Sequence, residues 1–369
     1  PKDFALQGKY EKFWKVTEIF KEWASGVKTH RDHFVVGFSK EEIIQRLRIF
    51  TGKLPDELVK QSLKLKDTRD WNLKEAREKG KQEKLEDNIY PYAYRAFDSR
   101  KICYSFSLIE QGCDRWDLMK HFIVSSKGNI VLVTTRQLTS LQFSHSFVTD
   151  TVSDMCFISN KGRETNYFFP LYLYPDESKG QMFDEKEHTP NFTNEFLQAV
   201  KESLGTEPTP EEIFYYIYAV LYSPTYRQRY EEFLKIDFPR IPLPNDYEAF
   251  EALGSLGKEL VDLHLLKHPA LNETVVGFPE SGSNKMERVR HDEATKRVYI
   301  NKDQCFEGVS KEVWEYRIGA YQVMEKYLKD RKGRKLSLDD INHYMKVAKA
   351  IRLTIELQGK IDNVYAEVD

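Results

Sequence analysis

Cysteine is scarce in this chain. The 369 residues hold four, Cys103, Cys113, Cys156 and Cys305, and no two are spaced as C-x-x-C. That excludes a disulfide-built scaffold and makes free thiols in a reducing, cytoplasmic compartment the expectation. Long apolar runs are missing as well. None approaches the roughly 20 residues of a membrane span, and no signal-peptide pattern is visible. Excess charge of one sign is absent too, because 56 Lys and Arg meet 58 Asp and Glu for a net charge of −2. The chain is therefore no polycation, and any contact with nucleic acid must come from local patches. Neither G-x-G-x-x-G nor a Walker loop occurs. The [DNS]-P-P-[YFW] tetrapeptide, with which amino-group methyltransferases hold a flipped base, is lacking, and "NIYPY" at 88–92 is only a distant echo. There is no internal repeat and no low-complexity tract.

What is present suits a folded chain with a large core and two or three compact units. Hydrophobic residues make up 40%, charged residues 31% and aromatics 13%, with 21 Tyr and 23 Phe. The first residue is Pro1 rather than Met, which suggests a fragment of a longer polypeptide. The first 90 residues read as mostly helical, with a strand near "HFVVGF" and a charged, solvated helical excursion over 55–88. From Tyr90 the runs "KICYSFS", "NIVLVTT", "HSFVTD", "MCFIS" and "NYFFPLYLYP" are short, β-branched and aromatic, with Gly, Asn, Ser and Asp between them. They predict a β region. Residues 176–212 are acidic and unsuited to a DNA face.

Helices return with clear start signals. Thr209, Pro210 and Glu212 predict a capping box ahead of "FYYIYAVLY", whose helical spacing reads as core. Ser223-Pro224 starts a second helix, which "FPRIPLP" stops. Residues 284–306 predict a small hairpin. Two helices close the chain. One carries Trp314, Ile318, Tyr321 and Leu328. The other starts at Ser337 and buries Ile341, Met345, Ala348, Ile351 and Ile355. Between them lies "KDRKGRK", with five basic groups in seven residues and Gly333 at the turn. The fold class expected is α+β: a helical lead-in, a central mixed or antiparallel β region bearing loops, and a C-terminal helical half with a small β-hairpin.

Catalytic constellations are hard to find. "YPDESK" (174–179) holds Pro-Asp and Glu-x-Lys, the halves of a nuclease signature, but they overlap where separate strands would be needed. His30 and His33 sit three apart with no third ligand of matching spacing, so no metal is expected. Binding chemistry is richer. Lys28, Thr29 and Arg31 precede an apolar strand and suit a phosphate. Arg95 and Arg100 flank Asp98, which would serve either a phosphate or a turn fixed by an ion pair. Arg136, Gln137, Gln142 and His145 follow a buried-looking strand in a stretch with no acidic residue. Lys161, Arg163 and Asn166 occupy a second, Gly-bearing loop. Arg and Gln have the shape to grip guanine and adenine edges in the major groove, so these seven are base-reading candidates. Lys332, Arg334 and Lys335 are phosphate candidates, with a solvated connector as the alternative. Arg288, Arg290 and Arg297 form a third basic group on the hairpin.

"SGVKTHRDHFVV", "YRAFDSRKICY", "NIVLVTTRQ", "FSHSFVTD", "NYFFPLYLYPD", "EEIFYYIYAVLYSPTYRQRYEEFLKIDFPRIPLP" and the block from "VWEYRIGAYQVMEKYL" to "GKID" resemble the C-terminal part of Type ISP-like restriction–modification enzymes and related adenine-specific methyltransferases. The resemblance runs from about residue 13 to 362. Two departures stand out: Ala96 where the family usually has Pro, and Tyr327 where it often has Trp. The resemblance implies a target recognition domain, monomeric as a fragment and catalytically silent by itself, that reads double-stranded DNA. It implies a methyltransferase domain of the same polypeptide using S-adenosylmethionine, and an upstream motor and nuclease using ATP and Mg2+. The changes of pattern along the chain divide it into a lead-in at 1–89, a β-rich subdomain at 90–190 that the resemblance makes DNA-reading, a helical subdomain at 191–270, and a hairpin with helix pair at 271–369.

Overall fold

The computed structural model describes residues 4–123, 129–139, 142–175, 188–273 and 275–368. Residues 176–179 of "YPDESK" and the acidic stretch 176–187 lie outside these.

Two four-stranded sheets form the β region. In the first, the order is Ala24–Ser25, Asn166–Pro170, Val131–Thr135 and Ser146–Thr149, antiparallel throughout. Val131–Thr135 is buried at every position, as a strand covered on both faces must be. In the second, the order is Val36–Gly37, Asp98–Cys103, Ile89–Arg95 and Val152–Ser153, with only the last pair parallel. The "HFVVGF" strand shrinks to Val36–Gly37, because Asp32–Val35 is a helical turn. "MCFIS" forms turns and bends, and the strand lies just before it at Val152–Ser153. The lead-in is thus not confined to helices: it supplies an edge strand to each sheet. Its excursion over 55–88 is less solvated than expected. Arg77, two thirds of the way along it, is buried and donates to the carbonyls of Phe50, Gly52 and Leu54 while pairing with Asp56.

The helical half follows its start signals. Pro210–Tyr222 opens on the Thr209/Glu212 capping box and is buried without a break from Tyr216 to Tyr222. Tyr247–His264 packs across it so closely that a Cβ on Gly257 would sit 1.9 Å from the Tyr215 carbonyl oxygen. The 28-residue helix Leu338–Tyr365 starts on a capping box at Ser337 and covers both. His264 joins the three helices: Tyr218 Oη lies 2.7 Å from Nδ1 and Thr354 Oγ1 3.0 Å from Nε2. Burial and nearby Arg227 push its pKa down to about 3, so it stays neutral. The predicted hairpin is a three-stranded sheet, Arg290–Asp292, Arg297–Tyr299 and Cys305–Glu307.

One expected element is corrected. Trp314 to Leu328 is not a single helix but two short ones, Lys311–Glu315 and Val323–Lys329, parted by a hairpin over 317–322. The reason is Gly319, at φ +57°, whose backbone packs against another loop with no room for a Cβ.

The "KDRKGRK" segment is more than a connector. The Arg331 guanidinium turns inward to Asp98 (2.9 Å) and Asp340 (3.1 Å) and stacks 3.5 Å over Tyr327. The loop backbone also pairs with residues 284–286: Gly333 N–H donates to the Met286 carbonyl and Met286 N–H to the Arg334 carbonyl. Asp98 receives Arg100 as well, at 2.8 Å. Burial alone would raise its pKa, but Arg331 and Arg100 outweigh burial and hold it below the usual carboxylate range. Asp98→Asn leaves two guanidiniums short of an anion. It should cost about 3–5 kcal/mol of stability, read as a lower urea midpoint near neutral pH. The sign with pH follows. A depressed carboxylate contributes fully above its unfolded pKa of about 3.9 and loses that contribution as pH falls toward the folded value. The wild-type chain should therefore lose stability below about pH 4 more steeply than the variant.

Candidate nucleic-acid interface

Register puts the two loops that carry the base-reading candidates together. Thr134 pairs with Ser146 and Thr135 with Asn166. The loop after residue 135 and the loop before Asn166 therefore leave the same end of the first sheet. Gln137, Gln142, Lys161 and Arg163 are exposed there. Arg136 is also exposed and makes an ion pair with Asp237 at 3.3 Å. An exposed pair of this kind is worth about 0–1 kcal/mol, so Arg136 can exchange it for another anion at little cost.

A buried carboxylate fuses the two loops. Glu164 accepts from Thr139 N–H (2.7 Å), Thr139 Oγ1 (2.6 Å) and Ser159 Oγ (2.5 Å), and lies 2.9 Å from His145 Nε2. Burial would raise its pKa, but these bonds outweigh burial and hold the carboxyl far below its ordinary range. Asn166 completes the frame by accepting from Ile158 and Ser159 N–H and donating to the carbonyls of Ser159 and Glu164. Two expectations change here. His145 and Asn166 are 0% exposed and brace the loops, so neither reaches a base in this structure.

A second brace comes from the 317–322 hairpin. Gly319 N–H donates to the Ser144 carbonyl (2.8 Å) and Ala320 N–H to the Ile158 carbonyl (2.9 Å). A Cβ on Gly319 would lie 1.9 Å from the Ile158 oxygen. Between loops, hairpin and the helix Pro224–Arg229 lies a cleft of about 1050 Å³. Gln142 and Lys161 line it on one side, and Gln228 and Arg317, which sequence reasoning missed, on others. "SPTYRQRY" carried a signal in its Arg and Gln, but it read only as a helix start.

Several phosphate candidates are also corrected. Thr29 is 1% exposed and Arg31 3%, the latter paired with Glu110 at 2.8 Å and stacked 3.8 Å over Trp71. Arg95 is paired with Asp154 and Arg100 with Asp98, both largely covered. Each turns inward because a carboxylate waits there. Lys28, Lys332, Arg334 and Lys335 stay exposed, with Arg334 paired to Glu42 and 4.1 Å over Phe38. On the small sheet Arg288 is exposed, Arg290 lies over Tyr299, and Arg297 crosses to Glu307 at 2.5 Å. His33, three residues from His30, meets the Leu63 carbonyl at 3.1 Å.

The fold has solved counterparts. An ATP-dependent Type ISP restriction–modification enzyme, LlaBIII, bound to DNA, matches with TM-score 0.72 and 19% identity over 95% of this chain and 24% of that one. A DrdV–DNA complex matches with TM-score 0.72 and 23% identity over 93% and 36%. A nuclease-deletion mutant of the Type ISP enzyme LlaGI, in complex with a DNA substrate mimic, matches with TM-score 0.66 and 18% identity over 95% and 29%. The chain spans between 24% and 36% of the length of these proteins. No curated protein sequence matches it. Its architecture is thus that of one module within large restriction–modification enzymes. The family described as Type ISP C-terminal specificity domain has a model that matches residues 18–357, and the chain belongs to that family.

The bracing itself is testable by hydrogen–deuterium exchange. Glu164→Gln removes the charge that four donors share and should cost about 2–3 kcal/mol locally. Amides of 136–139, 142–145 and 159–165 would then exchange about 30–150-fold faster, with little change at the strand cores. Gly319→Ala should loosen the same loops from the other side.

Proposed function

We propose that this chain reads a double-stranded DNA sequence for a larger restriction–modification polypeptide and positions it for adenine-N6 methylation by a methyltransferase domain of that polypeptide, outside the present chain. The observation that carries the reading is the pair of loops at one end of the first sheet, locked together from within and presenting Arg136, Gln137, Gln142, Lys161 and Arg163 outward. Rigid backbone with exposed Arg, Lys and Gln is what base reading in the major groove demands. Lys28, Lys332 and Lys335 would meet phosphates without reading sequence. S-adenosylmethionine belongs to the methyltransferase domain in this reading, and ATP and Mg2+ to a motor and nuclease. The fragment acts as a cytoplasmic monomer, and among the described residues no helix is long and apolar enough to cross a membrane.

The two classes of contact separate by experiment. Gln142→Ala, Lys161→Ala or Arg163→Ala in the full-length enzyme should relax discrimination at one base pair by about 1–3 kcal/mol, measured by competition among duplexes differing at single positions. Lys332→Ala with Lys335→Ala should weaken all duplexes alike and lower the salt slope by about 0.9 per lost contact. Unchanged discrimination in all three loop variants would move reading to the small sheet around Arg288 and Arg290.

A second reading, as a coupling domain, draws on a different surface. Phe106, 62% exposed, and Trp116 meet edge to face at 5.4 Å beside a cleft of about 890 Å³. Exposed aromatic surface of this kind suits another domain. Failure to shift random duplex DNA at low salt would favour this reading.

A further inference from the structure

The loop at Lys28–Arg31 and the turn at Glu110–Asp114 lie about 80 residues apart in the chain, yet they are tied together. Lys28 N–H donates to the Cys113 carbonyl (3.0 Å), and Cys113 N–H to that of Glu110 (3.0 Å). Three side chains of different chemistry converge where they meet. His30 Nε2 lies 3.7 Å from Glu110 Oε2 and 3.9 Å from Cys113 Sγ, and all three atoms fall within 4.8 Å of one another.

We propose that His30, Glu110 and Cys113 form a binding site for a zinc-type divalent cation. Zinc bonds of about 2.0–2.3 Å in a tetrahedron set its ligand atoms about 3.3–3.6 Å apart, so the two His30 distances close by a few tenths of an ångström and the Glu110–Cys113 pair, within 4.8 Å, by about 1 Å at most. One imidazole, one carboxylate and one thiolate form a donor set that borderline-soft zinc takes and that magnesium and calcium do not. The carboxylate is oriented for the task. Its Oε1 accepts from Arg31 Nη2 and from Thr68 Oγ1, each at 2.8 Å, which aims Oε2 at the imidazole. Such outer partners fix a ligand before the metal arrives. Water would take the fourth position. A bound ion would clip the loop carrying Lys28 to the rest of the domain. The site is independent of the DNA reading, because none of its ligands is a base-reading candidate.

The spacing explains why sequence inspection points elsewhere. Glu110 and Cys113 stand at i and i+3, but His30 is 80 residues distant, and only the fold brings them together.

The test uses the reduced 369-residue chain with cobalt and zinc as probes. One equivalent of Co2+ should give a thiolate-to-cobalt charge-transfer band, which one equivalent of Zn2+ abolishes. Cys113→Ser should remove the band, and His30→Asn should lower zinc affinity at least about 100-fold; Asn tolerates the left-handed backbone at residue 30. Thr68→Val, which touches no metal, should weaken zinc about tenfold. Zinc should raise the melting temperature of the wild-type chain but not that of Cys113→Ser, with both chains folded by circular dichroism. A reduced wild-type chain that gives no thiolate band, or a Cys113→Ser chain that binds zinc as tightly, overturns the site and leaves only the close approach of His30 to Glu110.

Discussion

Arg331 and Asp98 hold the molecule's two halves together. The guanidinium comes from the segment between the last two helices and the carboxylate from the tip of the central strand pair, 233 residues earlier in the chain. Neither charge could stay buried alone, because an unpaired ion in a low-dielectric interior costs several kcal/mol. Pairing makes each element's position a condition of the other's. Tyr327 beneath the guanidinium, Asp340 at the start of the long helix and Arg100 beside Asp98 then follow into place. The departure at residue 96 fits the same corner. Ala96 N–H donates to the Phe157 carbonyl at 2.9 Å, a bond that proline could not make. Tyr327, where the family often has Trp, keeps the stacking face and adds a hydroxyl near Asp340.

Local chemistry was legible from residue order. The capping boxes at Thr209 and Ser337, the Ser-Pro start at residue 223 and the all-apolar "VLV" strand each announce themselves over a few residues, and each forms as read. The α+β class follows from the same signals. Long-range partners were not legible. Arg31, Arg95, Arg100, His145 and Asn166 look like surface polar groups because nothing beside most of them reveals their inward partners. Arg31 finds Glu110, Arg95 finds Asp154 and His145 finds Glu164. Arg100 does sit beside its partner, yet only the contribution of Arg331 explains why Asp98 is buried. The broken helix at 316–322 failed for a related reason: periodicity is blind to a backbone approach from another loop.

The candidate interface shows how stability and variability can share one place. Its tips are exposed side chains with few obligations. Its frame is a buried carboxylate bonded to Thr139, His145 and Ser159, none of them a tip residue. Arg136, held only by a surface pair with Asp237, sits between these regimes.

The close approach at Gly319 sets a limit on how such a module can be rebuilt. Its amide and that of Ala320 clasp one loop each, at Ser144 and Ile158. A graft that carries foreign loops but leaves this hairpin behind would meet a clasp cut for other backbones. The smallest transplantable unit is therefore discontinuous: two loops plus a hairpin more than 150 residues downstream. Under the proposed reading, recombination within the loops alone would more often yield a misfit than a new specificity. Single changes at the tips would then be the open route to another target.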